Sequence, residues 1–143
     1  MKVKIVRVDK SLPLPQYQTE GSVAFDLYSR IDAEINPKEI LILPSNLIIE
    51  VPKGHALILA SRSSLAKKKG LVLRNGIGVI DMDYHGTKDE IGLQAYNFTD
   101  QVVKIERGER LMQAFIVPVE RAEWEEVDVI KDSSRGGFGS TGG

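Results

Sequence analysis

The stretch EILILPSNLIIEVPKGHALILA, residues 39–60, sets three runs of Ile, Leu and Val in line, parted by Pro-Ser-Asn and by Pro-Lys-Gly. Runs this short, bounded by turn formers, read as strands; a helix would need a longer uninterrupted segment with a 3.6-residue apolar repeat. Proline and glycine supply the backbone angles of the turns between them. Working outward, the same pattern precedes the stretch in KVKIVRV (2–8) and follows it in LVLR (71–74), QVVKIER (101–107), MQAFIVPV (112–119) and EVDVI (126–130). Further turn residues stand at Asn75-Gly76, Thr99-Asp100 and Arg107-Gly108-Glu109. Strands at this close, regular spacing predict an antiparallel all-β sandwich or barrel. One segment departs from the pattern: SRSSLAKKKG (61–70) has serines suited to N-capping, lysines for a last turn and a terminal Gly70. It predicts a single short helix at about 63–69.

The 143 residues suit one domain with a real core. From Lys131 onward too little apolar surface remains to offset ordering entropy. The expected organisation is therefore a β domain over 1–130 and a flexible, Gly-rich C-terminal arm over 131–143. A formal net charge of -1 gives no field for holding a polyanionic backbone, so nucleic acid is not expected as a partner. No apolar run is long enough to span a bilayer, and the basic start MKVKIVRVDK has no apolar signal segment behind it. An intracellular, cytoplasmic protein without a membrane partner is expected. The chain has no cysteine, which removes disulfides and thiolate chemistry, and His55 and His85 stand in no ligand spacing.

No P-loop, nucleophile elbow or zinc-protease motif is present. Polar residues break the β pattern in four other places. In NGIGVIDMDYHG (75–86), Asp81 and Asp83 share a face of an extended chain, where a carboxylate can activate water or simply occupy a surface turn. Two glycines before them let another group approach the backbone, or mark a bulged hairpin. In ASRSSLA (60–66) the serines read as helix caps or as phosphate ligands, while Arg62 near a helix N-terminus calls for an anion. In RGERLMQAF (107–115), Gln113 faces either solvent or a site. The tail SSRGGFGSTGG (133–143) offers Arg135, amide and hydroxyl donors, and Phe138 as a stacking ring, or is plain disorder. Trp124 in EWEEV reads as core or subunit packing, and His85 as a surface turn residue.

Taken in order, GSVAFDLYS (21–29), SRSSLA (61–66), NGIGVIDMDYHG (75–86), RGERLMQAF (107–115) and RGGFGSTGG (135–143) resemble the five motifs of the trimeric dUTPase family over essentially the whole chain. The resemblance implies a jelly-roll-like β-barrel with one short helix, assembled as a homotrimer whose three active sites each draw on all three chains. The implied reaction is hydrolysis of dUTP to dUMP and pyrophosphate by water attack on the α-phosphorus, with Mg²⁺ on the triphosphate. By position, Asp81 matches the carboxylate that activates water, and Arg62, Ser63, Ser64 and Gln113 match phosphate-region residues. Asn75 with Gly78, Val79 and Ile80 matches the uracil-reading hairpin, and Tyr84 the ring under the deoxyribose. Asp26 matches an aspartate tied to the metal's water shell. Arg135, Gly139, Ser140 and Thr141 match a γ-phosphate grip, and Phe138 a ring that closes over uracil. Ser61, Ser64, Ala24 and His85 depart from the usual motif residues. RSSLA also resembles the related dCTP deaminases, but Gln94 stands where that family has a proton-transferring glutamate. The charged insertion in TKDEIGLQA (87–95) carries no implied role.

Overall fold

The computed structural model describes residues 1–134 and 136. Among them the elements run β1 (Lys4–Arg7), β2 (Phe25–Tyr28), β3 (Ala33–Ile35), β4 (Ile40–Pro44), β5 (Leu47–Glu50), β6 (His55–Ser61), α1 (Leu65–Lys69), β7 (Leu71–Leu73), β8 (Ile77–Ile80), β9 (Gly92–Asn97), β10 (Val103–Ile105) and β11 (Arg110–Pro118). The opening stretch supplies β4, β5 and β6. Every pairing is antiparallel: a four-stranded sheet β2-β11-β6-β8, a three-stranded sheet β4-β9-β7, and the two-stranded ribbons β1-β5 and β10-β3. The fold is all-β and jelly-roll-like.

Strand alternation builds the core. Leu57 and Leu59 of β6, Leu27 of β2, and Met112 and Ala114 of β11 share one buried cluster with Leu43 of β4, Leu71 and Leu73 of β7, and Leu93 and Ala95 of β9. At about 25 cal/mol per Å² of apolar surface removed from water, this cluster is the main term favouring the fold. The strands with the plainest Val/Ile pattern are found where expected. β2, β3 and β9 were not foreseen, because FDLY, AEI and GLQAYN lack a β-branched run.

Helix α1 starts at Leu65, two residues later than expected. Its N-cap Ser64 makes no side-chain capping hydrogen bond, so the capping role read for the serines is not realised there. Gly70 ends the helix in the left-handed region at φ 66, as a C-terminal glycine does. Gly76 takes φ 74 in the Asn-Gly turn between β7 and β8. These two strands pair in different sheets, β7 with β9 and β8 with β6, so the hairpin expected around this turn does not form between them.

The C-terminal stretch departs from expectation. EVDVI forms no strand, and the described chain beyond Pro118 carries no strand at all. Trp124 is 90% exposed and Ile130 96%, so Trp124 is not core in the protomer. Among the described residues these apolar side chains stay exposed, and without packing a short Val/Ile run does not hold strand geometry. Among the described residues no helix is long and apolar enough to cross a membrane.

Candidate active site

Asp26 is the centre of one cluster. It lies on β2 opposite Gln113 of β11, and its side chain is only 9% exposed. Its Oδ1 is 2.8 Å from Arg62 Nε and its Oδ2 3.1 Å from Arg110 Nη1. A carboxylate this buried needs such partners, since leaving it unpaired would carry a large desolvation penalty. Arg62 also reaches the Arg110 carbonyl at 3.4 Å. Gln113 Nε2 donates to the Ser61 carbonyl at 3.0 Å, tying β11 to the end of β6.

A register irregularity in β11 decides which side chains meet. Gln113 pairs with Asp26 and Arg110 with Tyr28, with a bulge between Arg110 and Met112. Strict alternation would turn Arg110 and Gln113 to opposite faces. The bulge brings both to the face of Asp26, a way of re-aiming side chains that is frequent beside active sites. A cavity of about 240 Å³ adjoins the cluster, lined by Arg62, Ser64, Lys68, Lys69, Glu109 and Arg110. Lys69 is engaged by Glu109 at 2.8 Å. Arg62, Lys68 and Arg110 leave the cavity net cationic, suited to a phosphate chain.

Strand β8 and the turns on either side of it form the second half. β8 is the outer strand of its sheet, so one side of its backbone faces no other strand among the described residues. Gly78 sits over Leu59, where an added Cβ would come within 3.1 Å of the leucine Cβ, and Ile77 and Val79 point outward. Asn75 is exposed at the turn before the strand, and Asp81 is exposed directly after it. Asp81 and Asp83 line a cleft of about 540 Å³ with His55, Met82 and Arg121. Tyr84 is half-exposed, its hydroxyl 3.5 Å from the Glu90 carbonyl oxygen. His85 is exposed, as expected of a turn residue.

The two halves do not meet within one chain. Ile80 pairs with Leu57 at the start of β6 and Ile77 with Ala60 near its end, while Arg62 follows that end. A strand of seven residues therefore lies between the Asp81 end and the Arg62 end, ~20 Å. Asp26, Arg62, Ser64 and Gln113 come together; Asp81 and Tyr84 lie apart from them. Ser63 is exposed beside Arg62. Arg135, Phe138, Gly139, Ser140 and Thr141 lie outside the described residues.

The family model for dUTPase matches residues 10–142. The chain belongs to the dUTPase family. The deoxyuridine 5'-triphosphate nucleotidohydrolase of Dictyoglomus turgidum is 42% identical over 148 aligned residues that span 99% of both chains. That of Anaplasma marginale is also 42% identical, again over 99% of each chain. Among solved structures, the crystal structure of dUTPase from Streptococcus mutans aligns with a TM-score of 0.78 at 33% identity, covering 87% of this chain and 100% of that one. A Staphylococcus bacteriophage 80alpha dUTPase with dUPNHPP has the same fold, at a TM-score of 0.86 and 24% identity over 99% of this chain and 98% of the other. For a dUTPase-family chain, the sequence reading omitted Arg110 and Lys68 from the cationic half. Arg110 stood in plain view in RGERLMQAF, but only the bulge reveals which face it takes. Lys68 read as a last-turn helix residue.

Proposed function

We propose that this chain hydrolyses dUTP to dUMP and pyrophosphate. The single observation that carries the reading is the position of Asp81, directly after an open-edged strand, in a chain matched by the dUTPase family over nearly its full length. The outward backbone of Gly78, Val79 and Ile80, with Asn75 at the turn, offers a fixed set of N–H donors and C=O acceptors to one base edge. Cytosine presents a different set, and a buried mispaired polar group can lower turnover by ~10⁴-fold or more. The Tyr84 ring lies against the deoxyribose. The Asp81 carboxylate takes a proton from water as the water oxygen bonds to the α-phosphorus. The bond from that phosphorus to the oxygen bridging to the β-phosphorus breaks, releasing pyrophosphate.

Arg62, Ser63, Ser64 and Gln113 hold the phosphate chain, joined by Arg110 and Lys68. The separation of the Asp81 and Arg62 ends by the length of β6 supports a site completed by a second copy, and thus the homotrimer with shared sites. Arg135, Gly139, Ser140 and Thr141 grip the γ-phosphate and Phe138 covers uracil, supplied by an arm from a third copy; residues 131–143 form that arm and 1–130 the domain. The cysteine-free composition supports a cytoplasmic setting.

The donor set suits Mg²⁺ carried by the substrate. Among the described residues no three His, Cys, Asp or Glu side chains are grouped to hold a metal, and magnesium is usually bound through phosphates, water and one or two carboxylates. Each Asp26 oxygen accepts from one arginine and keeps a lone pair for a metal-bound water. When bound, the ion neutralises triphosphate charge and helps orient the chain. Incubation with dUTP, dCTP, UTP and dTTP plus Mg²⁺, with pyrophosphate and ammonia measured separately, tests the reading. Pyrophosphate from dUTP alone and no ammonia from dCTP are expected; intact dUTP would overturn it.

A further inference from the structure

The loop that carries Asp81 and Tyr84 runs over the surface from β8 to β9, yet it is fastened at defined points. The Tyr84 N–H donates to the Asp81 carbonyl at 3.3 Å. Asp89 Oδ2 accepts the Gly86 N–H at 2.6 Å and the Asp89 N–H returns to the Gly86 carbonyl at 3.1 Å, closing the turn formed by the charged insertion. The strongest fastening is Glu90. Its two oxygens accept from Arg30 Nε and Nη2 at 2.9 Å each, a two-pronged pairing that fixes direction as well as distance. Oε1 also accepts the Asn46 N–H at 2.7 Å. Both charged side chains are largely shielded, at 17% exposure for Glu90 and 29% for Arg30.

Glu90 thereby joins three loops. Arg30 follows β2 and donates its own N–H to the Pro44 carbonyl at 2.8 Å. Asn46 lies between β4 and β5, and its side chain exchanges hydrogen bonds with the Asp9 backbone at 2.6 and 3.0 Å. The next residue, Ile91, is fully buried and donates to the Leu47 carbonyl at 2.9 Å. The Glu90 main chain is thus a fixed post, and the Tyr84 hydroxyl rests on its carbonyl oxygen at 3.5 Å.

We infer that the Arg30–Glu90 pair is the positioning element for Tyr84, holding the ring rigid so that it rejects a ribose 2′-hydroxyl. The inference rests on the dUTPase reading. An apolar surface that can retreat rejects an added hydroxyl only weakly; rejection by contact needs a wall whose support does not move. Tyr84 stands on an exposed loop, and its hydroxyl reaches the protein at the Glu90 carbonyl. Among the described residues the Glu90 side chain pairs with Arg30 and Asn46 and with none of the residues proposed to hold phosphate, so its loss acts on sugar selection before it acts on the chemical step.

The test is the ratio of kcat/KM for dUTP to that for UTP in the wild-type chain, Glu90→Gln, Tyr84→Phe and the double variant, with folding checked by thermal unfolding. Glu90→Gln is expected to lower the ratio about tenfold, chiefly by lowering KM for UTP, and to leave kcat for dUTP within about threefold. Tyr84→Phe lowers the ratio too, and the double variant falls no further than the lower single variant. If Glu90→Gln does not fold, Arg30→Lys, which keeps a cation and loses the fork, is read by the same ratio. A wild-type chain inactive on dUTP contradicts the dUTPase reading and this inference together. An active wild type whose folded Glu90 or Arg30 variant keeps its ratio, or whose Glu90 and Tyr84 effects simply add, contradicts this inference alone.

Discussion

Asp81 carries the chemical step in this account, and its replacement isolates that step. Asp81→Asn keeps the size and a hydrogen-bonding group but cannot accept the proton from water, so kcat for dUTP is expected to fall ~10²- to 10⁴-fold with KM little changed. Steady-state kinetics on the folded variant checks this. Asp9 gives a prediction in pH. The Ser11 hydroxyl, then Arg107, then the Ser11 N–H hold its carboxyl well below the usual range. Because the folded-state value is depressed, this stabilisation is fully present above the ordinary carboxylate value of about 3.9 and is lost as pH falls through the folded value. An NMR titration of Asp9 should show a depressed midpoint, and Arg107→Ala should move it back toward the ordinary value. At this scale the sequence reading placed Asp26, Arg62 and Gln113 in one site, and the structure brings the three together, but the ion pairs of Asp26 were not foreseen. A carboxylate between two arginines depends on strand register, and register across β2 and β11 is non-local.

At the level of elements, local chemistry decided most of what could be read. Short Val-, Ile- and Leu-rich runs became β1, β4, β5, β6, β7, β10 and β11, and a lysine-rich segment ending in glycine became α1. β9 escaped because its inward residues are Leu93, Ala95 and Asn97, and its strand geometry comes from pairing with β4 and β7. EVDVI failed in the other direction, since propensity without a neighbouring strand yields no ladder. The end of α1 shows how tightly two elements can be coupled. A methyl group on Gly70 would overlap Thr99 Cγ2, and the Thr99 hydroxyl is held by Asn97 Oδ1 at 2.7 Å. With its left-handed φ as well, Gly70→Ala is expected to destabilise the fold by ~2 kcal/mol or more, measured by urea unfolding. A loss below half that size would mean that Thr99 moves aside freely.

For the whole molecule, the decisive feature is that the cationic half and the Asp81 half sit at opposite ends of β6. Sequence order alone does not give this distance; only the family resemblance implies sites built from more than one chain. The separation of the two halves and the exposed Trp124 and Ile130 fit a chain that completes its site, and covers part of its surface, with other copies of itself. Removing residues 133–143 is expected to leave the assembly intact by size-exclusion chromatography and dUTP turnover nearly absent; a truncated chain with full activity would exclude the arm from the site. The most direct test mixes two inactive chains. Asp81→Asn lacks the base and keeps the phosphate half, whereas Arg62→Ala lacks the phosphate half and keeps the base. Co-assembled in equal amounts, with mixed trimers verified by native mass spectrometry, they should recover about a quarter of wild-type dUTP turnover, because a quarter of the sites then pair an intact Asp81 with an intact Arg62 from another copy. Turnover no higher than that of either parent, in trimers shown to be mixed, would contradict a site shared between chains.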